Sequence, residues 1–381
     1  MALPTNPAST SAFHRRAFLT AAAFAAAAPV AAAFAGRTFI QTQDKSGLKS
    51  PVLGPDGLKY ECVHDWLTPP SGLQWGDTHG LAQDSAGRIY VAHTVNGQSS
   101  RAEAVVVFSP TGTFETAWGA AFRGGAHGLD VRTEKGIEFL YHCDTNRRLV
   151  VKTDLKGEVL WEAGYPEKSG KYAAKEKYCP TNVAFLPDGP AGEPGDILVG
   201  DGYGSSFIHR YSPKGDYVKT IIGPGSAKGE VSCPHGLWVD DRAGKDKLTL
   251  LVADRGNRRI QRFTLDGEHI EFVATGKGAG EKGADVPSPI RMPCHFKTRS
   301  GMLLVPDLES VITLLDRDGK AIAHLGDGAE NGKPSGLRDA NREAFLPGKF
   351  IHPHTAIFLA NGDILVAEWV PIGRITLLRK V

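Results

Sequence analysis

Four histidines stand at the same position of an internal repeat, and imidazole is a common metal ligand in proteins. The equivalent residues of six successive units, spaced by 48 to 60 residues, are His79, His127, Thr181, His235, Cys294 and His354. The histidines at 127, 235 and 354 belong to alternate units, so a circular arrangement would place them a third of a turn apart. Three neutral imidazoles that converge in this way, with a fourth position open, form a catalytic zinc site. The alternative is that histidine suits a Pro-His-Gly turn and makes only a local hydrogen bond; for three alternate positions together, we favour the metal.

Two further side chains with useful chemistry lie close behind the second strand of their units. An acid that closes such a strand typically accepts hydrogen bonds from the backbone of the following turn. The residues at this point of the six units are His93, Asp144, Asp201, Asp254, Asp307 and Glu368. Behind two of them come Tyr203, a phenol that can transfer a proton, and Arg255, a guanidinium that can hold a carboxylate. These two residues could carry chemistry, although either one alone would more often be a surface residue or a packing lid.

Three neighbouring residues have open roles. His79 occupies the repeat position of the first unit, outside the alternate set. His352 lies two residues before His354 and either orients the metal site from outside or is an ordinary loop histidine. Cys294 fits a small buried residue better than a ligand.

The repeat predicts the fold that would bring these residues together. Each unit has short apolar runs with alternating polarity, separated by Gly- and Asp-containing turns, which is typical of antiparallel strands. In the fourth unit, residues 233–239, 250–255 and 259–263 form three such runs. Six units of this kind cannot bury both sheet faces alone, but a radial arrangement lets neighbours cover one another. We therefore predict an all-β, six-bladed β-propeller with the repeat residues at its axis.

The two ends of the repeat region predict how the ring closes. The last unit stops after its third run, residues 374–378, without an outer strand. The segment 60–66, ahead of the first unit, resembles an orphan outer strand. We expect it to complete the last blade, because this would remove a bare sheet edge.

The N-terminus has the features of an export signal. Arg15 and Arg16 precede an apolar run over residues 21–34, which ends in a small-x-small cleavage pattern before Gly36. We predict a twin-arginine signal peptide over residues 1–35, a flexible lead-in over 36–55 and the propeller over 56–381. This places the protein in the periplasm or outside the cell, with no stable membrane span after cleavage. An uncleaved membrane anchor is the alternative.

The amino-acid composition limits the classes of molecule that we expect this protein to bind. The 381 residues include 44 basic and 42 acidic residues without a basic block, so we expect no nucleic-acid partner. The five cysteines are widely spaced and form no CxxC pair, which excludes a cysteine-rich zinc knuckle and leaves disulfide pairing open. We expect a monomer that takes a small-molecule or peptide-derived substrate.

The units are similar to NHL repeats, and several segments carry a more specific resemblance. These segments are Cys179-Pro180-Thr181-Asn182, Gly200-Asp201-Gly202-Tyr203, Cys233-Pro234-His235-Gly236 and residues 252–261 (VADRGNRRIQ). Together they resemble the catalytic core of peptidyl-α-hydroxyglycine α-amidating lyases, over about residues 60–381. That family comprises zinc-dependent six-bladed propellers that cleave a carbinolamide into a peptide amide and glyoxylate. The resemblance implies zinc ligands at His127, His235 and His354, a catalytic tyrosine at Tyr203, and one of two substrate-binding arginines at Arg255.

Three of the positions that depart from the family pattern are Thr94, His352 and Thr355. The family's other arginine falls near Thr94, and Arg101 is an unaligned substitute. His352 stands where the family has a methionine beside the third histidine. Thr355 stands where the family has an acidic residue that helps hold a structural calcium. The resemblance therefore implies zinc, makes Ca²⁺ a weaker expectation and leaves the substrate open.

Two rival functions remain at this point. One is a non-catalytic NHL propeller that binds a protein or glycan through its loop face, with structural histidines. The other is a lactonase-type hydrolase, which would use calcium held by Glu, Asn and Asp near the axis, whereas the axial set here is rich in histidine.

Overall fold

Six antiparallel β-sheets form the blades of a propeller, as predicted from the repeat. The computed structural model describes residues 50–276 and 289–381. Two strands, β1 (Val52–Leu53) and β2 (Tyr60–Val63), precede the first complete sheet. The blades are, innermost strand first: β3 Thr78–Gln83, β4 Ile89–His93, β5 Val105–Phe108, β6 Phe114–Trp118; β7 Ala126–Glu134, β8 Ile137–Asp144, β9 Leu149–Thr153, β10 Val159–Ala163; β11 Asn182–Phe185, β12 Ile197–Gly200, β13 Ile208–Tyr211, β14 Tyr217–Ile222; β15 Pro234–Asp240, β16 Thr249–Asp254, β17 Arg259–Phe263, β18 His269–Thr275; β19 Lys297–Arg299, β20 Met302–Asp307, β21 Val311–Leu315, β22 Ala321–Leu325; and β23 Pro353–Phe358, β24 Ile364–Glu368, β25 Arg374–Lys380.

Helical structure is limited to single turns in the connections. The described residues contain no α-helix, and their 3-10 helices are Ala120–Phe122, Glu167–Ser169, Lys175–Lys177, Lys245–Lys247 and Arg342–Ala344. In the described part of the chain, no helix has the length and apolar character needed to cross a membrane.

The sixth blade contains both ends of the described chain. Strand β2 pairs antiparallel with β25, with Tyr60 opposite Lys380 and Val63 opposite Leu377. Strand β1 adds a short outer edge by pairing with β2. Because the first and last strands share one sheet, the ring is joined by backbone hydrogen bonds and not only by packing between blades.

The hydrophobic core lies between the blades. The second strand of a blade is covered on both faces, so its residues are apolar without alternation: Leu250 to Ala253 on β16 are all buried. Between the fifth and sixth blades, Leu304 and Ile312 pack with Ala356 and Val366. The outermost strands are more exposed than the second strands: on β6, three of five residues are exposed. This packing fixes the angle between neighbouring blades and thereby the distance between their innermost strands.

The N-terminal boundaries predicted from sequence fall mainly on residues outside the described ranges. The predicted signal peptide, residues 1–35, lies outside them, as does the lead-in up to residue 49. Residues 50–55 are described and contain β1, so the sheet begins before the boundary predicted at residue 56.

Candidate metal centre

Four imidazole rings meet where the innermost strands begin. The rings of His127, His235 and His354 have centroids 4.6, 4.7 and 5.0 Å apart. The ring of His79 lies 4.5 Å from that of His354 and 4.7 Å from that of His127. All four side chains are buried. The structure thus brings the three predicted ligands together and adds a fourth imidazole to them.

The three alternate-blade histidines are oriented by the same kind of contact. In each, Nδ1–H donates to the backbone carbonyl of the equivalent residue on the next blade. The pairs are His127 to Thr181 at 2.9 Å, His235 to Cys294 at 2.9 Å, and His354 to His79 at 3.4 Å. Because a carbonyl oxygen only accepts, this contact places the proton on Nδ1 and leaves the Nε2 lone pair free. Metal-binding histidines commonly have their other ring nitrogen fixed in this way.

The glycine that follows the histidine in the sequence allows the innermost parts of neighbouring blades to lie close together. A Cβ atom on Gly128 would lie 2.4 Å from the carbonyl oxygen of Thr181, and one on Gly236 would lie 2.4 Å from that of Cys294. In the sixth blade Thr355 takes this place, and the histidine–carbonyl distance there is the longest of the three, 3.4 Å. The repeated His-Gly pair therefore reflects close contact between blades.

Buried carboxylates at the ends of the second strands hold the segments that lead to the axis. Asp254 accepts a hydrogen bond from the N–H of Ser232, and Glu368 accepts one from that of Ile351, both at 2.7 Å. Each donor lies three residues before the predicted ligand histidine of its blade. Asp144 instead accepts bonds from the turn behind it, at 3.0 and 2.9 Å. These acids position the site without contacting it.

The Tyr203 hydroxyl lies between two of the imidazoles. It is 3.2 Å from Nε2 of His127 and 3.1 Å from Nε2 of His235. The ring as a whole is 42% exposed, but its hydroxyl end points into the cluster. Burial raises the pKa of Tyr203 to about 12, and the neighbouring Arg255 acts in the opposite direction. Burial therefore favours the neutral phenol, and the charge of Arg255 favours the phenolate.

Arg255 has no acidic partner among the described residues. Its Nη1 lies 3.4 Å from the Tyr203 hydroxyl, and its Nη2 lies 3.3 Å from Sγ of Cys233. Other largely buried arginines are neutralised: Arg259, for example, forms an ion pair with Asp254 at 2.6 Å. A partly buried guanidinium without an anion is a ready site for a carboxylate group of a ligand.

The histidines of the cluster are neutral near pH 7. Burial lowers the pKa of His127 to about 3. Burial, together with the charge of Arg255, also holds the pKa values of His79, His235 and His354 well below the ordinary value. Neutral imidazole is the form that binds metals, so these side chains need not lose a proton to do so.

This cluster could hold a metal ion. Within the described ranges, His79, His127 and His354 form the one group of metal-ligating side chains whose ligand atoms all lie within 4.8 Å of one another. This group contains His79 and not His235, whose Nε2 lies 3.1 Å from the Tyr203 hydroxyl. An all-imidazole donor set suits a transition metal, whereas Ca²⁺ prefers oxygen ligands.

Two residues with open roles lie outside the set of ring donors. His352 donates from Nδ1 to the carbonyl oxygen of Leu308 at 2.6 Å, and its ring lies 5.6 Å from that of Trp369. The Cys294 thiol is buried, and burial raises its pKa to about 12. Cys294 nevertheless serves the site, because its backbone carbonyl orients His235. None of the five cysteines forms a disulfide.

An arginine that was not predicted from the sequence approaches from the side of the first blade. Arg101, the unaligned substitute, is paired with Glu103 at 2.7 Å. Arg338 instead reaches Asp77, two residues before His79, at 2.9 Å, and lies 3.9 Å from the Trp369 ring. Arg338 comes from the connection between the fifth and sixth blades; the 60-residue interval between those units was the available signal.

Comparison with known proteins gives partial matches in sequence. A peptidyl-α-hydroxyglycine α-amidating lyase of Drosophila melanogaster is 27% identical over 235 residues, which are 53% of this chain and 40% of that protein. A peptidylglycine α-amidating monooxygenase of Rattus norvegicus is 36% identical over 104 residues, 26% of this chain and 10% of that protein. The chain resembles the amidating lyases. The alignments span less than half the length of either relative, and no protein-family model matches the chain.

Solved structures match the fold over most of the chain. A streptogramin B lyase has a TM-score of 0.52 at 12% identity, covering 85% of this chain and 97% of that one. A putative gluconolactonase has a TM-score of 0.53 at 15% identity, covering 88% and 99%. At these identities the likeness shows the propeller fold alone.

Proposed function

We propose that this protein is an exported, zinc-dependent lyase of the amidating-lyase type, which cleaves the C–N bond of a carbinolamide-like substrate. One observation carries the proposal: the Tyr203 hydroxyl contacts two neutral imidazoles and a guanidinium that has no acidic partner among the described residues. A proton acceptor, a metal site and an anion site therefore share one point. The sequence similarity to an amidating lyase supports the same reaction.

His127, His235 and His354 would hold the zinc through Nε2, since their Nδ1 atoms are engaged by backbone carbonyls. When bound, zinc would act as a Lewis acid that lowers the pKa of a substrate hydroxyl. The three ligands come from three blades, so the rigid ring fixes their separation.

The chain's own residues supply the remaining steps. Arg255 binds the substrate carboxylate and so places the carbinol carbon near the imidazoles. Tyr203, as the phenolate, accepts the hydroxyl proton. The oxygen then forms the carbonyl group of glyoxylate, the C–N bond breaks, and its electron pair stays on nitrogen. Nitrogen takes a proton back from Tyr203, which releases the amide and restores the phenolate.

The direct test combines metal analysis with an assay of purified protein. We expect about one zinc per chain after dialysis, and glyoxylate release from an N-acyl-α-hydroxyglycine. The same compound with its carboxylate converted to an amide should react poorly, because it offers Arg255 no anion. Bound zinc without glyoxylate release would refute the lyase assignment, and absence of tightly bound metal would favour the non-catalytic binding propeller.

Export is proposed from sequence alone, on the paired Arg15 and Arg16 ahead of the apolar run. Replacing both arginines by lysine should retain the protein in the cytoplasm of an expressing bacterium. An unchanged periplasmic fraction would contradict twin-arginine export. We also propose that the mature protein is a monomer, which light scattering of the purified chain would test.

A further inference from the structure

His79 touches the proposed metal ligand His354 on both of its ring nitrogens. The Nδ1–H of His354 donates to the backbone oxygen of His79 at 3.4 Å. On the opposite edge, Nε2 of His354 lies 3.3 Å from Nδ1 of His79. The side chain of His79 thus lies on the metal-binding side of His354.

The distance between these two nitrogens matches a shared metal ion. With Zn–N bonds of about 2.0–2.1 Å, two nitrogens of a tetrahedral site lie about 3.3–3.4 Å apart. His79 also belongs to the tightest cluster of ligand atoms, within 4.8 Å, together with His127 and His354. Two imidazoles that share a hydrogen bond also lie this close, so the orientation of the His79 ring has to distinguish a ligand from a hydrogen-bond partner.

The orientation of the ring distinguishes His79 from the other three histidines. Each of those has Nδ1 fixed by a carbonyl of the next blade, which presents Nε2 to the centre. The first-blade histidine presents Nδ1 itself to the centre, and among the described residues no carbonyl of the second blade holds that nitrogen. A ligand without such a support is the one that can leave most easily.

We propose that His79 is a fourth protein ligand, exchangeable, which closes the metal shell through Nδ1 until a substrate hydroxyl displaces it. This inference rests on the proposed metal site and goes beyond it, because it assigns the position that substrate must take. No bond other than the metal–ligand bond changes: an imidazole nitrogen leaves and a hydroxyl oxygen binds.

Cobalt(II) is the probe of choice, because its visible spectrum reports coordination number and donor type without any activity measurement. The full-length protein would be stripped of metal and titrated with Co²⁺ as wild type, His79→Ala and His79→Gln. We expect both variants to bind Co²⁺ at least about tenfold more weakly, with absorption bands shifted by replacement of nitrogen by water. Added imidazole should restore the wild-type spectrum in His79→Ala.

His352→Ala is the matched control. It removes another histidine near the site whose Nδ1 is bound to Leu308, and it should leave the Co²⁺ spectrum and affinity unchanged. Identical titrations for His79→Ala and wild type would overturn the inference while leaving the three-histidine site intact. Failure of the wild type itself to bind Co²⁺ or Zn²⁺ would overturn the proposed metal site and this inference with it.

The proposed displacement of His79 by a substrate hydroxyl can be measured separately. A small 2-hydroxy acid, added to the Co²⁺ proteins, should bind more tightly to His79→Ala than to wild type, because no ligand must first be displaced. Equal affinity in the two proteins would show that His79 does not occupy the substrate position.

Discussion

The Nδ1–H of His235 donates to the carbonyl oxygen of Cys294 at 2.9 Å, from the fourth blade to the fifth. This contact fixes the orientation of a proposed metal ligand by a backbone atom, which a change of side chain at residue 294 cannot remove. Gly236 lets the two chains approach to this distance, since a Cβ there would lie 2.4 Å from the Cys294 oxygen. Metal binding should therefore depend on the packing between blades.

Gly236→Ala tests this dependence. Its new Cβ would lie 2.4 Å from the Cys294 oxygen, so the strands must separate. We expect a loss of about 1–3 kcal/mol in the free energy of unfolding, and metal affinity weaker by about 10–100-fold. Urea unfolding and Zn²⁺ competition titrations measure both. Gly97→Ala is the control, since a Cβ there meets nothing within 4 Å; equal behaviour of the two variants would contradict the packing argument.

Tyr203→Phe removes the proposed proton acceptor and little else. Turnover should fall by about 10²–10⁴-fold, because that is the usual contribution of a positioned acid or base, while zinc content stays at the wild-type level. Steady-state kinetics and elemental analysis provide the two readouts. Tyr217→Phe, whose hydroxyl bonds to Thr220 on an outer strand, should be fully active. Retained turnover in Tyr203→Phe would remove this phenol from the mechanism.

Arg255→Met tests the anion site. The variant should lose most of its preference for a substrate with a free carboxylate over the amide-capped analogue, because that preference arises from the guanidinium. The comparison of kcat/KM for the two compounds isolates this effect from general damage. Arg258→Met, three residues on and paired with Glu309 in the wild type, should keep the preference. If Arg255→Met keeps it too, the carboxylate binds elsewhere.

Metal removal should lower thermal stability in proportion to how tightly the ion is held. A ligand that binds only the folded state adds about 4 kcal/mol when its free concentration is 1,000 times its dissociation constant. We expect a chelator to lower the Tm of the wild type by more than that of His235→Ala, which has lost a ligand but keeps the imidazoles of His79, His127 and His354. A chelator-induced shift of equal size in both proteins would place the ion outside this cluster.

A pH effect is expected from His142, on β8 and remote from the metal ligands in sequence. Its ring stacks on Phe122 at 4.7 Å and its Nε2 contacts Thr153 at 3.0 Å; burial lowers its pKa to about 3. Unfolding raises this pKa towards about 6.5, so between these values the unfolded chain binds a proton that the folded one does not. The contribution to stability is therefore complete above pH 6.5 and is lost as pH falls towards 3.

The measurement compares wild type with His142→Gln in metal-free buffer. Relative to the variant, the wild type should lose about 1.4 kcal/mol of unfolding free energy per pH unit as pH decreases from 6 to 4. Urea titrations at several pH values give the two curves. Parallel curves would show that this histidine is protonated in the folded state.

The number and type of blades could be predicted from sequence because each blade is a local unit. Apolar runs such as Leu250 to Ala253, followed by Asp254, recur in successive units. A run without polar residues is typical of a strand that is covered on both faces. The meeting of the three alternate-blade histidines could also be predicted from the repeat, since position in the repeat determines position around the ring. His79 was placed outside that set because the spacing of the units predicts only the angle between blades. It does not predict how far each side chain lies from the central axis.

What the sequence determined by itself was therefore the circular scaffold and the identity of the residues that begin its innermost strands. Only the tertiary structure decided which nitrogen of each imidazole faces inward and that His79 and His354 approach to 3.3 Å. It also decided that Arg338 pairs with Asp77, whereas Arg255 has no acidic partner within residues 50–276 and 289–381. The physical reason is that these relations join residues of different blades. They depend on side-chain direction and on separations of a few ångströms, which long-range packing sets and a local pattern does not encode.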